Sequence, residues 1–399
     1  MSAGGLSHQR LERMRKVMAG HVGAGAMPGL VTLISRRGET HVEAIGMKAF
    51  GGADPMARDT IFRIASMTKP MTAVAAMILV EESVLRLDEP VDSFLPELAG
   101  RRVLKDLAGP IDDTVPADRP ITLRDLLTFR LGIGAVMAPP GTYPIQAALA
   151  DAGLAPGPDL SDLPPDEWLG RLAGLPLLRQ PGEAWMYHTG SDVLGVLIAR
   201  ASGMSLGEFM HQRIFEPLGM KDTGFHVPPE KLPRLPHSYV ADRETGELKV
   251  YDNPGHSRWA RPPAFESGGG GLVSTADDCL AFFRMMLDKG RAGEGRILSR
   301  PSVELMTSDQ LTAEQRAGAG VFFGQGRSWG FGMAVTIRRD DLSASPGRFG
   351  WDGGYGTSGY ADPAEDMVGV LLTQRMMDSP QPPKVFTDFW TGAYQAIDD

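Results

Sequence analysis

Apolar positions at helical spacing open the chain. Leu11, Met14 and Val17/Met18 recur every three or four residues, so Met1–Lys16 reads as the start of an amphipathic helix. A continuous apolar run, Leu30–Ile34, then leads through Arg36-Arg37-Gly38-Glu39 into Thr40–Ile45, which is two strands around a turn. Near the other end Trp329–Ile337 and Met367–Thr373 are strand-like. Val385–Ile397 returns to helical spacing through Phe386, Phe389/Trp390 and Ala393. Between them, Thr122 and Asp125 form a T-x-x-D capping signal that predicts a short helix, Leu123–Phe129. Asp192–Ala201 and Asp277–Leu287 are also helical, the second closed by Gly290. Nine prolines fall between Pro139 and Pro181, so much of that stretch is expected to be irregular loop. The expected fold class is α+β. An antiparallel sheet is built from both chain ends (residues 1–95 and 325–399) and flanked by N- and C-terminal helices. A helix-rich domain is inserted over residues 96–324, and the glycines from Gly318 to Gly332 mark the return to the sheet.

Composition narrows the function classes. The 399 residues are 42% hydrophobic and 22% charged, as expected of a globular chain. A formal charge of -9 argues against a nucleic-acid partner, which calls for a basic face. The single cysteine, Cys279, excludes an internal disulfide framework and a Cys-rich zinc site. It lies on an apolar helix face and reads as core. The eight histidines show no metal-ligand spacing, so no metal is expected. No apolar run approaches the ~18–20 residues of a membrane span. The N-terminus has no apolar secretory core, so a cytoplasmic location is the expectation.

The candidate chemistry starts at Ser66-Met67-Thr68-Lys69, ahead of the apolar helix Met71–Val80. Three positions apart on a helix, Ser66 and Lys69 share a face. A serine hydroxyl is a weak nucleophile until a base takes its proton. A lysine sunk against apolar surface has its pKa lowered and can be that base. On spacing alone, Ser66 as an N-cap and Lys69 as a solvated side chain remain open.

Longer blocks add to this. Ile61-Phe62-Arg63-Ile64-Ala65-Ser66-Met67-Thr68-Lys69, Leu85-Arg86-Leu87-Asp88-Glu89-Pro90-Val91, Ile121–Thr128, Ile214–Met220 and Gly268–Asp278 together resemble the serine β-lactamase/penicillin-binding-protein superfamily, class C branch. Within it the chain is most similar to the family VIII carboxylesterases, with matches from about Leu30 to Gln374. The resemblance implies Ser66 as nucleophile, with Lys69 and Tyr187 sharing the proton work. Tyr187-His188-Thr189 stands where the family has Tyr-x-Asn. Either Lys69 or Tyr187 could take the serine proton, and a nearby ammonium would favour the phenolate. Thr189 replaces an amide that would orient an acylamino side chain. The β-lactamase Lys-Thr-Gly is replaced by Trp351-Asp352-Gly353, followed by Gly354-Tyr355. The lysine that would meet a lactam carboxylate is absent and Asp352 adds negative charge, so neutral acyl groups are expected to bind better. The backbone N–H groups of Ser66 and Gly354 are the implied oxyanion donors, with Trp351 and Gly353 completing the third motif. Asp352, Tyr355, Thr189, Tyr143 and Trp168 are candidate substrate contacts, the last two as walls contributed by the stretch Met137–Trp185.

Two decoys are set aside. Gly203-Met204-Ser205-Leu206-Gly207 matches a nucleophile elbow, but a helix precedes it, and Ser205 with Glu208 makes a capping box. His188 is expected to face away from the site and act as local support. The expected activity is hydrolysis of short- to medium-chain acyl esters. The alternative is a β-lactamase or amide/peptide hydrolase using the same groups. The implied partner is a small-molecule ester, without cofactor, and the oligomeric state is left open.

Overall fold

The computed structural model describes residues 4–157 and 159–399. The first three residues of the expected N-terminal helical segment, and Pro158 in the Pro-rich stretch, lie outside the described residues.

The first helix, α1 (His8–Gly23), buries Met14 and Met18. It leads into β1 (Gly29–Arg36) and β2 (Glu39–Gly46). The turn between them has Arg37 at φ 49° and Gly38 at φ 81°, the paired positive dihedrals that match strand twist in a two-residue hairpin. Five more strands come from the other end of the chain: β3 (Arg327–Trp329), β4 (Ala334–Thr336), β5 (Phe349–Gly353), β6 (Thr357–Asp362) and β7 (Met367–Thr373). All neighbours are antiparallel, in the order β3-β4-β5-β6-β7-β1-β2. Leu30 of β1 pairs with Thr373 and Arg36 with Met367, so the two ends of the chain close one sheet.

Both faces of that sheet are covered, which explains why β1 and β7 are buried at every position instead of alternating between buried and exposed. Leu30, Ile34 and Leu371 pack against α1 and a C-terminal helix (Lys384–Gln395) through Met18, Phe386 and Phe389. Val31, Leu33, Val370 and Leu372 face the opposite layer. That layer includes the helices Thr68–Glu81, called α2, and Ala276–Leu287. A third helix of this layer, α3 (Thr189–Ser202), packs beside α2. Their side chains merge with those of the intervening segments into one continuous core.

Two local expectations change and a third gains detail. Trp329–Ile337 is a hairpin, because the chain turns at Gly332 with φ 72°. The helix after Thr122 keeps its capping box but ends at Leu127. The Pro-rich stretch holds two helices, Pro144–Asp151 and Pro165–Ala173. Proline is the first residue of each, where the missing N–H has no intrahelical partner to lose. Among the described residues no single helix is long and apolar enough to cross a bilayer.

Candidate active site

Ser66 is the middle residue of a short 3-10 turn, Ala65–Met67, that runs straight into α2. Ala65 takes a positive φ of 44°, a conformation that costs energy for a residue with a Cβ and is held by the packed surroundings. α2 is buried on all sides from Thr68 to Leu79. A helix enclosed in this way carries no polar stripe, and its second residue, Lys69, has 0% exposure. Lys69 Nζ lies 2.9 Å from Ser66 Oγ, 2.5 Å from the Gly269 carbonyl oxygen and 3.4 Å from His188 Nδ1. Burial pushes the amine down from 10.5 to about 7, with the Asp192 carboxylate pulling the other way.

Tyr187 arrives from the segment just before α3. Trp351 Nε1–H donates to its hydroxyl at 2.7 Å, and the hydroxyl also bonds Ser66. Phe129, Trp185, Phe322 and Trp351 surround the ring. Burial pushes the phenol up to about 12. The expected bias toward phenolate is therefore corrected: Lys69 Nζ sits over the ring face, 4.6 Å from its centroid, and desolvation dominates.

The third motif lies on β5 and the turn after it. A Cβ on Gly353 would stand 2.3 Å from the Ile64 carbonyl oxygen and 2.2 Å from Thr357 Oγ1. Only glycine lets β5 press against the segment that carries Ser66. Gly354 has open space on its side-chain side and lines the cleft. Asp352 accepts hydrogen bonds from Ser358 Oγ at 2.5 Å and Tyr360 Oη at 3.1 Å. Arg327 of β3 lines the same cleft, so the expected excess of negative charge is corrected by a guanidinium from the edge strand, two strands over from Asp352.

These groups border a cavity of about 280 Å³. Its polar side carries Ser66, Tyr187 and His188; its apolar side includes Met137, Phe322, Met376 and Met377. The Pro-rich stretch contributes Met137, Pro156 and Gly157. Tyr143 and Trp168 stand elsewhere. Tyr143 packs on the main core, and Trp168 is buried against Phe265 beside a second cavity of about 230 Å³. Thr189 lines that second cavity, as does one side of His188. Tyr355 is 2% exposed and packs between Tyr251 and Trp259. Ser205 caps its helix, accepting from the Glu208 N–H at 3.2 Å. Cys279 is buried, and that burial pushes its thiol up to about 12.

His188 does not face away. Its φ of 84° turns the imidazole toward Lys69, while Nε2 lies 3.1 Å from Asp192 Oδ2. Asp192 is itself buried; burial would raise its pKa, but His188, Ser267 and the Gly269 N–H hold it below the usual carboxylate value. Sequence reasoning missed His188, Phe322 and Arg327. Only His188 had a signal, its position next to Tyr187. Phe322, on a short helix (Gly320–Phe323), and Arg327, on the edge strand β3, reach the cleft from more than 130 positions beyond Tyr187.

A family model described as Beta-lactamase matches residues 14–385. Protein Rv1367c of Mycobacterium tuberculosis (strain ATCC 25618 / H37Rv) is 40% identical over 365 residues, covering 89% of this chain and 88% of its own. Esterase EstB of Burkholderia gladioli is 33% identical over 361 residues, covering 86% of this chain and 85% of its own. Among solved structures, EstCE1, described as a hydrolase with promiscuous acyltransferase activity, superposes with a TM-score of 0.82 at 26% identity, covering 96% of this chain and 98% of its own.

Proposed function

The chain belongs to the beta-lactamase family and is a serine hydrolase acting on esters; from that premise we propose that it is a carboxylesterase for short- to medium-chain acyl esters, working through an acyl-enzyme on Ser66. The observation that carries this reading is a serine hydroxyl 2.9 Å from a fully buried amine that burial pushes down to about 7, at the edge of a largely apolar cleft.

The roles follow from the two proton affinities. An amine near 7 is half neutral at working pH and can accept a proton; a phenol near 12 keeps its own and can donate it. Lys69 takes the proton from Ser66 Oγ as Oγ bonds the acyl carbon. The carbonyl oxygen becomes an oxyanion between the backbone N–H groups of Ser66 and Gly354, where each donor is worth about 2.7–4 kcal/mol of transition-state stabilisation. Collapse breaks the ester C–O bond, and Tyr187 delivers a proton to the leaving alkoxide and recovers one from Lys69. Water repeats the sequence on the acyl-enzyme and releases the acid. Met137, Phe322, Met376 and Met377 receive the acyl chain.

The test is hydrolysis of p-nitrophenyl acetate, butyrate and octanoate beside nitrocefin, in wild type and Ser66→Ala. Ester turnover that vanishes in Ser66→Ala, with slow nitrocefin turnover, is the expected result. Nitrocefin turnover matching the esters would replace this reading with the β-lactamase one.

A further inference from the structure

We propose that His188 and Asp192 form a positioning pair that aims the lone pair of Lys69 at Ser66. The inference rests on the Ser66–Lys69 reading above and adds two residues to it.

The argument is one of hydrogen-bond capacity. Asp192 Oδ1 already accepts from Ser267 Oγ at 2.7 Å and from the Gly269 N–H at 2.9 Å. Oδ2 faces His188 Nε2 at 3.1 Å. An ionised carboxylate only accepts, so the imidazole carries a proton on Nε2, and in its neutral form it then presents Nδ1 as an acceptor. Lys69 Nζ then has three neighbours besides its own carbon. Two of them, the Gly269 carbonyl oxygen and, in that tautomer, His188 Nδ1, only accept. A neutral amine has two N–H groups and one lone pair. With both N–H groups committed to those acceptors, the lone pair points at the third neighbour, Ser66 Oγ, 2.9 Å away. When the serine proton arrives, the ammonium keeps the same two bonds and holds the new N–H toward Oγ, so neither proton transfer requires the amine to turn.

Two features of the backbone accommodate this corner. His188 is held at φ 84°, ψ -67°, an unfavourable conformation for a residue with a side chain. A Cβ on Gly269 would lie 3.0 Å from Asp192 Oδ1 and 3.2 Å from the His188 ring. The charged and titratable groups facing the corner are Lys69 on α2, Tyr187, His188 and Asp192 at and before α3, and, across the cleft, Arg327 of β3 and Asp352 of β5.

Three variants separate positioning from simple packing: His188→Phe, His188→Asn and Asp192→Asn. Phenylalanine keeps most of the ring volume and offers no acceptor. Asparagine at 188 can place an acceptor oxygen where Nδ1 stands. Asparagine at 192 donates to Nε2, which moves the ring proton to Nδ1 and turns an N–H toward the amine lone pair, a tautomer error of the kind that disables a triad. The readouts are kcat and KM for p-nitrophenyl butyrate across pH and the rate at which a fluorophosphonate labels Ser66, with circular dichroism as the check on folding. His188→Phe is expected to lower kcat and the labelling rate about 10-fold or more at little-changed KM, and His188→Asn to recover most of that loss. Asp192→Asn is expected to lower the plateau rate and to move the acid limb to lower pH, because the anion that raises the Lys69 pKa is gone. Equal labelling of wild type and folded His188→Phe, or a His188→Asn as slow as His188→Phe, would overturn the pair. A wild type that neither turns over esters nor labels at Ser66 would overturn the underlying Ser66 reading, and the pair with it.

Discussion

At Lys69 the deciding quantity is the cost of keeping an ammonium away from water. The side chain is fully buried, its carboxylate neighbour Asp192 is separated from it by an imidazole, and the amine falls to about 7. Since the folded-state pKa is depressed and only the neutral amine accepts the serine proton, kcat/KM for a neutral ester should rise with pH and level off above about 7. A rate already at its plateau well below that pH would contradict the assignment of Lys69 as base. Trp351 acts on the other proton carrier. Its indole N–H bonds the Tyr187 hydroxyl at 2.7 Å and helps keep that phenol from rising further. Trp351→Phe keeps the ring packing and removes one neutral hydrogen bond, worth about 1 kcal/mol, so kcat should fall roughly fivefold. Steady-state kinetics on the variant decides it. At this scale Ser66, Lys69 and Tyr187 were legible through motif context. Arg327 and Phe322 were not, because nothing in the local pattern of a short edge strand or a one-turn helix tells which of its side chains meets a cleft formed by distant segments.

Among the elements, β5 and the 3-10 turn act as one unit. Gly353 lets the strand touch the Ile64 backbone, and that contact fixes the distance between the third motif and Ser66. Gly353→Ala forces a Cβ within 2.3 Å of backbone, which cannot relax as a flexible side chain would. Overpacking of this kind costs about 1–3 kcal/mol, so the variant should melt several degrees lower and lose ester turnover. Differential scanning calorimetry and p-nitrophenyl butyrate hydrolysis measure the two effects; an unchanged melting temperature would mean the strand stands further from the turn than described. Element types were readable where periodicity or capping chemistry is strong, as in the Arg37-Gly38 hairpin and the Thr122 capping box. The stretch from Pro139 to Pro181 is largely irregular, as its prolines suggested, but its two helices were not legible where proline was counted only as a breaker. Pro144 and Pro165 sit at helix starts, where the same ring pre-sets the helical φ.

For the whole molecule, the site depends on a sheet that the two chain ends close together. The Ser7 N–H bonds the Ala396 carbonyl at 2.8 Å, and β1 runs the full length of β7. The joining of those ends was readable from two distant strand-like runs, whereas the strand order was not, since antiparallel neighbours leave no local mark of which partner they take. Phe389 lies on the face of the sheet away from α2, fully buried against the α1 layer. Phe389→Ala should destabilise the fold by about 3–5 kcal/mol and leave KM and the pH profile of the folded enzyme as they were; a changed profile would mean the two layers are coupled. The central claim is that Ser66 carries the acyl group. Its most direct test is rapid acid quench of the wild type during p-nitrophenyl butyrate turnover, followed by peptide mass spectrometry. The account predicts a butyryl adduct on the peptide containing Ser66, absent in Ser66→Ala. An adduct on Ser205, or full ester turnover with Ser66 unmodified and replaceable, would contradict it.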